Sequence, residues 1–497
     1  MSSRASTASA PLDRAVLRVA LVVVLGSIMS VLDTTIVNVA LDELSKQLGS
    51  TLDQIQWVVT GYLLSLAAVI PVTGWAARRF GERRLYLTSI VVFTLGSLLC
   101  GLAWSTGSLI AFRVLQGVGG GMILPVGQMI LARSAGPHRM GRVMSVITIP
   151  IVMAPILGPT IGGLVLEHLG WRWIFFINAP VGVAALIAGL RLLPRDHGSR
   201  EAAGRLDVVG LALLATGLVG ITYGLAETGI TGGLSGPRVI VPLLLGLALT
   251  TTFVLRARRI PRPLLDVRLY ANRAFAAASL TMFCLGGALF GASVLMPLYF
   301  QMVRGQDAVH TGLLLAPQGV GVAISMFFSA RAADRIGGGW LSLSGVLLTA
   351  AATVPFTMFD ATSSYWLIGG AMVLRGAGIG LAFIPAMTAA FAAMTPAQIA
   401  DGTPQLNVLQ RVGGSIGTAI LAVILQAGIN DLAVPTPAGI AGAFNTAYWW
   451  ALGITLAAVV PAVVLVRAEA AGRRRARAEE DAAVRRSEGV ATEAVPT

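Results

Sequence analysis

Long apolar runs recur along this chain at near-even spacing, each set off from the next by a short polar stretch. A hydrocarbon layer of roughly 30 Å needs about 20 helical residues to cross it. Fourteen runs reach that length: 16–41, 54–77, 85–104, 107–132, 142–166, 172–193, 206–227, 237–256, 273–300, 309–332, 340–358, 363–394, 404–428 and 444–467. Pro385 and several glycines blur the end of the twelfth. The pattern predicts an all-α polytopic membrane protein with fourteen transmembrane helices.

The polar stretches give the runs a direction. Alternate loops carry Arg78, Arg79, Arg83 and Arg84; then Arg133, Arg139 and Arg142; then Arg191, Arg195, Arg200 and Arg205. The series continues with Arg256, Arg258, Arg259, Arg262, Arg268 and Arg273, then Arg331 and Arg335. The intervening loops are neutral or acidic, as with Asp42, Glu43 and Asp53. Basic loops stay in the cytoplasm, so both termini and the even-numbered loops are expected inside, at the cell's inner (plasma) membrane. The loop near Asp401 breaks the rule, being internal by count but not basic.

Composition agrees: 55% of the 497 residues are hydrophobic and 12% charged, with a mean hydropathy of +0.79. The net charge of +13 sits in short clusters between runs, where orientation puts it, so nucleic acid is not expected as a partner. Cys100 and Cys284 lie in separate apolar segments and read as small buried hydrophobes. The four histidines form no ligand cluster, and neither a metal nor a cofactor is expected. Residues 1–11 are Ser/Ala-rich and read as disordered, while the first run is too long for a signal-peptide core and reads as a retained span.

An internal repeat follows. Ala76-Ala77-Arg78-Arg79-Phe80-Gly81 resembles Ala332-Ala333-Asp334-Arg335-Ile336-Gly337 at offset 256. Gly117–Gly121 resembles Gly376–Gly380 at offset 259, and Gly162-Gly163 pairs with Gly413-Gly414 at offset 251. These offsets fit a disordered tail (1–15), a six-helix bundle (16–193), an inserted helix pair (206–256), a second six-helix bundle (273–467) and a charged cytoplasmic tail (468–497). Two related bundles around a midplane cavity are the architecture of a transporter that alternates access.

Asp33 is the sharpest single residue, because an ionised carboxylate in hydrocarbon must face a cavity, find a partner or take a proton. Arg113 is its expected partner, since helical rise puts both about 9–12 Å below the outer surface. The alternatives are a structural ion pair for Asp33 and a snorkelling side chain for Arg113. Gln116 lies one turn beyond Arg113 and, with Asp33, Trp57, Tyr62 and Gln318, is a candidate to line the substrate cavity. Trp57 and Tyr62 open the second span, Trp57 suiting an interfacial belt and Tyr62 lying deeper, where a cavity wall would be. Asn407, Gln410 and Arg411 share a face of the thirteenth span, as a cavity wall or as interhelical hydrogen-bonding groups. In the fifth span, Gly158, Pro159, Gly162 and Gly163 form a hinge-like packing seam suited to a helix between the two halves.

Taken together, the Leu32–Leu41, Gly74–Gly81, Arg113–Gly121 and Gly158–Gly163 segments resemble the major facilitator superfamily, in particular its fourteen-helix drug:H⁺ antiporter branch. The resemblance covers the chain outside its tails. It implies a major facilitator fold and a conformational motif carried by Gly74, Arg78, Arg79 and Gly81, with Asp334 and Arg335 at the repeat position. The family usually has an acid where Arg78 stands, which helps lock the halves together on the cytoplasmic side; Asp334 keeps that acid, and Glu82 is a candidate to compensate. Some members add an acid in the tenth span for dicationic drugs. Here Thr311–Ser329 holds Gln318 but no acid, so monovalent cations or neutral lipophiles are the expected substrates.

The leading expectation is a monomeric, proton-driven exporter of hydrophobic or amphipathic compounds, with Asp33 and Arg113 as the coupling pair. The proton gradient stands in place of a cofactor, and a small lipophilic or cationic substrate, protons and membrane lipid are the partners. A dedicated exporter of one metabolite or lipid is a variant. A nutrient symporter is disfavoured by the fifth-span seam, a sensor by the repeat, and an enzyme by the lack of a nucleophile–base pair, metal cluster or nucleotide loop.

Overall fold

The computed structural model describes residues 13–135, 158, 161–195, 204–231, 233, 236–434, 436–472 and 474, and among these the regular structure is helical throughout. Helix α1 (Arg14–Val39) starts where the Asp13 carboxylate caps the backbone N–H of Ala15. A short surface helix, α2 (Leu41–Leu48), follows. Helix α3 (Leu52–Val69) opens on a capping box between Thr51 and Gln54. Pro71 then tightens the chain into a 3₁₀ turn, Ile70–Val72, before α4 (Thr73–Phe80) completes the span. Helices α5 (Glu82–Gly101) and α6 (Thr106–Ala135) form a hairpin, and α7 (Trp171–Phe176) leads into α8 (Asn178–Leu192).

Next come α9 (Val208–Thr231) and α10 (Pro237–Arg259), then α11 (Arg273–Met302), α12 (Ala308–Ile336) and α13 (Gly338–Thr353). The last are α14 (Tyr365–Ala392), α15 (Ile399–Asn430) and α16 (Pro437–Ala457). Twelve described helical segments are long and apolar enough to cross a membrane. They coincide with all the expected runs but the fifth and tenth. The tenth is helical as α12, and the fifth lies outside the described residues except at 158 and 161–166.

Helices α1, α3, α5, α6, α7 and α8 pack among themselves, as do α11 to α16, while α9 and α10 pack on each other. Helix α9 also touches α3 and α15, so the extra pair leans on both bundles. The Asp207 carboxylate fastens its foot: both oxygens accept from Arg256 Nη1 at 2.8 Å, and backbone N–H groups of Gly210 and Leu264 add to them. Burial opposes that charge, but these donors outweigh it and hold the carboxyl below its ordinary range. Arg18, Arg78, Arg83, Arg84, Arg133 and Arg191 surround one cavity of about 990 Å³. These six arginines thus gather at one end of the molecule, the basic face.

The two bundles repeat each other at the level of atoms. Gly81, φ 91°, makes the corner after α4, and Gly337, φ 101° and 256 residues on, makes the corner after α12. A side chain is strained at such angles. A Cβ on Gly117 would lie 2.8 Å from the Tyr62 carbonyl, and one on Gly376 would strike the carbonyl of Gln318. A Cβ on Gly121 would meet Leu66, and one on Gly380 would meet the Val322 carbonyl at 3.0 Å. These glycines let α6 close on α3, and α14 on α12, at backbone distance.

Gly376→Val is expected to overpack the α14–α12 contact at a cost of about 1–3 kcal/mol, whereas Gly370→Val, on the same helix with nothing within 4 Å, changes little. Thermal unfolding of the detergent-solubilised variants measures both, and equal midpoints would refute the close-approach role.

Candidate functional site

Helix α1 carries Asp33 into the interior of the first bundle, where its side chain is wholly buried. Donors from three directions converge on it. Arg113 Nη1 of α6 reaches Oδ2 at very short range. Gln116 Nε2, one turn further along α6, donates to Oδ1 at 2.8 Å. Asn178 Nδ2, at the start of α8, donates to Oδ1 at 2.9 Å and to Ser97 Oγ of α5 at 3.0 Å. Arg113 is held in turn: Nη1 donates to Gln116 Oε1 at 2.8 Å and Nε to the Val58 carbonyl at 3.1 Å. Its guanidinium carbon stands 4.0 Å above the Tyr62 ring, a cation–π contact. Tyr62 donates to the Ser30 carbonyl at 3.5 Å.

Residues 33 and 113, matched in depth by counting, are thus in contact. Tyr62 and Gln116, expected on a cavity wall, instead lie fully buried in the same network. Asn178 was not singled out from sequence; it sits in an aromatic segment that reads as an interfacial belt, and only its polarity at span depth marks it. Trp57 stacks on Tyr223 of α9 at 5.6 Å and lines a cavity of about 400 Å³ with Glu227 and Arg238. It therefore faces the extra helix pair.

The second bundle carries charge differently. Gln318 of α12 stands at offset 256 from Tyr62, and its Oε1 accepts from Arg375 Nη1 at 3.3 Å. Arg375 of α14, at offset 259 from Gln116, is 3% exposed. Its Nη2 donates to the Ala288 carbonyl at 3.1 Å, while Nε has no acceptor among the described residues. Sequence reading passed over Arg375 for the glycine string that follows it. Gln410 and Arg411 of α15 are partly buried. Asn407 is not on their open side: buried, it donates across the bundles to Gln128 Oε1 of α6 at 2.8 Å.

Further contacts between the bundles cluster toward the basic face. Pro404 has no N–H, so the Ala400 carbonyl of α15 lacks its helical donor. Gly74 of α4 packs its backbone against that oxygen. Nearby, Arg78 Nη1 meets Asp401 Oδ1 at 2.6 Å, both side chains mostly buried. Asp401 is therefore in the first turn of α15 and not in a loop. Glu82 is tied within its own bundle, to Arg133 Nε at 2.9 Å; Arg79 is exposed.

Gly158 and Gly162 pack against Thr35 and Ile36 of α1. The seam so far as described thus faces a helix of its own bundle, as Gly413 and Gly417 face α11. Gly163 is partly buried. Pro159 lies outside the described residues, as do the side chains of Asp334 and Arg335.

A family model described as Major Facilitator Superfamily matches residues 23–418. A multidrug resistance protein B homolog of Mycobacterium tuberculosis is 42% identical over 422 residues, 84% of this chain and 78% of that one. The multidrug export protein EmrB of Escherichia coli K12 is 31% identical over 397 residues, 80% of this chain and 77% of that one. Among solved structures, the human organic anion transporter MFSD10 superposes with a TM-score of 0.62 over 92% of this chain and 100% of that one. At 16% identity that likeness speaks to the fold.

Removing one partner of a buried ion pair strands the other. Arg113→Leu is expected to cost about 3–5 kcal/mol, and the double variant Asp33→Asn, Arg113→Leu less than that single change. Thermal unfolding of the solubilised proteins decides, and a double variant less stable than Arg113→Leu would rule out charge balance as the reason for the pair.

Proposed function

This chain belongs to the major facilitator superfamily of membrane transporters, and from that premise we propose that it is a proton-driven exporter of hydrophobic or amphipathic compounds. It spans the cytoplasmic membrane fourteen times, six, two and six, as a monomer with both termini and the basic face inside. The observation that carries the coupling is Asp33, the one buried acid among the described residues, with Arg113, Gln116 and Asn178 all donating to it. The export direction is supported by the relatives' names as multidrug resistance and export proteins.

Protonation of Asp33 removes the charge that holds Arg113. The guanidinium keeps the Val58 carbonyl and the Tyr62 ring but loses its counter-ion. The network that joins α1, α6 and α8 then has a second state, and a proton that favours one state over the other couples to which way the cavity faces. The present conformation is closed at the basic face by Gly74 on Ala400, Asn407 on Gln128 and Arg78 on Asp401. Asp401 supplies from the second bundle the acid that Arg78 displaces in the first, so the cytoplasmic lock is kept with its charges exchanged. The gradient is the energy source, and Asp33 carries the proton in.

In everted membrane vesicles, export of a lipophilic dye is expected to follow the pH gradient and stop when it is collapsed. Asp33→Asn, inserted at normal levels, should lose the gradient-driven part; unchanged export would refute its coupling role, and export indifferent to the gradient would refute antiport. Exchanging the lock charges tests the closed state. Arg78→Asp or Asp401→Arg alone should depress export, and the double exchange should recover much of it. Coupling of about 0.5–3 kcal/mol between touching residues corresponds to roughly 2- to 150-fold in the balance of facing states. A double exchange no better than either single one would dissolve the lock.

A further inference from the structure

More than one helical turn from the ends of the twelve runs of the two bundles, the sequence places one carboxylate, Asp33, and three guanidiniums, Arg113, Arg375 and Arg411. Asp33 and Arg113 neutralise each other. The other two cations both belong to the second bundle. Among the described residues Arg375 meets only neutral acceptors, Gln318 and the Ala288 carbonyl, and its buried Nε meets none. Amide oxygens satisfy its hydrogens but leave its charge unbalanced.

Arg411 is more open than Arg375 and makes no hydrogen bond or ion pair with any described residue. It lies about 15 Å along α15 from Asp401 at the basic face, which is close to the midplane. One turn before it on α15, Asn407 donates to Gln128 of the first bundle, so the face that carries Arg411 lies against the space between the bundles. Its neighbour Gln410 likewise offers an amide that no described side chain takes up. An unneutralised guanidinium at this depth is unfavourable unless something negative joins it.

We propose that a lipophilic organic anion binds between the bundles, its carboxylate or sulfonate held by Arg411, with Arg375 adding positive field from the second bundle. This rests on the exporter reading and replaces the monovalent cations or neutral lipophiles expected from sequence. That expectation asked only whether a second acid was present. The net charge of the four intramembrane groups is what a substrate meets. An anion brought between Arg411 and the apolar walls gains a charge-assisted, two-pronged contact, whereas a cation meets repulsion from two guanidiniums against one carboxylate already engaged.

Three probes sharing one ring separate charge from shape: naphthoate, naphthamide and naphthyltrimethylammonium, bound to the purified full-length chain in phosphatidylcholine bilayers. Naphthoate should bind at least about tenfold more tightly than the ammonium probe. Arg411→Gln should bring the naphthoate-to-naphthamide affinity ratio close to one, and Arg411→Lys should keep part of it. Tighter binding of the ammonium probe, or a ratio indifferent to Arg411→Gln, overturns the proposal. Should that variant fail to fold, the order of the three probes on the unaltered protein decides alone.

Repeating the measurement in phosphatidylglycerol-rich bilayers distinguishes a lipid headgroup. Loss of naphthoate binding there would assign Arg411 to lipid and overturn the substrate assignment; retained binding upholds it. Gradient-driven movement of the neutral naphthamide in everted vesicles reports on the exporter reading separately, so either reading can fail without the other.

Discussion

Hydrocarbon solvates neither a charge nor an unpaired amide, and each polar group within this molecule's spans must find its partner inside the protein. Asp33 shows how far that goes. Its two oxygens receive three side-chain donors from α6 and α8, and the donors are themselves oriented, Arg113 by Val58 and Tyr62, Asn178 by Ser97. Burial on this scale makes the pair a poor source of net stability but a strict one of geometry, because neither charge tolerates losing the other. A carboxylate balanced by one cation and dischargeable by one proton, in a network that cannot relax gradually, suits a two-state device.

The same solvent explains the glycines. Without a hydrophobic force between helices in lipid, association depends on close packing, and small residues let backbones meet. The first bundle closes α6 onto α3 through Gly117 and Gly121, and the second closes α14 onto α12 through Gly376 and Gly380. The seams are therefore structural and repeat between bundles, whereas the charges do not. Tyr62 and Gln116, which serve the acid, have Gln318 and Arg375 at the matching places. One backbone design thus carries a neutralised site in one bundle and a cationic one in the other.

How much of this was legible follows from the range of each rule. Spans and their direction depend on local hydropathy and loop charge, which need no tertiary knowledge, and the runs match the described helices closely. The meeting of Asp33 and Arg113 was legible because helical rise converts sequence into depth. Asp401 was misread as a loop residue because Pro404 looked like a helix start, yet α15 begins at Ile399 and carries the proline inside. Its partner, Arg78, lies in the other bundle, and a charge count by loops is blind to that. The stacking of Trp57 on Tyr223 was not legible, because nothing in the bundle repeat announces the extra pair. Arg375 needed only the rule already applied to Asp33, that an ionisable residue at span depth demands an explanation.

The lock at the basic face makes the broader point about motifs. Its physical content is an attraction between bundles at a place where α4 and α15 come to backbone contact, Gly74 against the Ala400 carbonyl that Pro404 leaves free. Which bundle supplies the acid is immaterial to that attraction. Arg78 and Asp401 satisfy it at 2.6 Å, while Glu82, the acid nearer in sequence, is taken up by Arg133. A departure from a pattern at one position is therefore not evidence that the interaction is lost. The partner position must be read with it, and for a contact between bundles it lies hundreds of residues away.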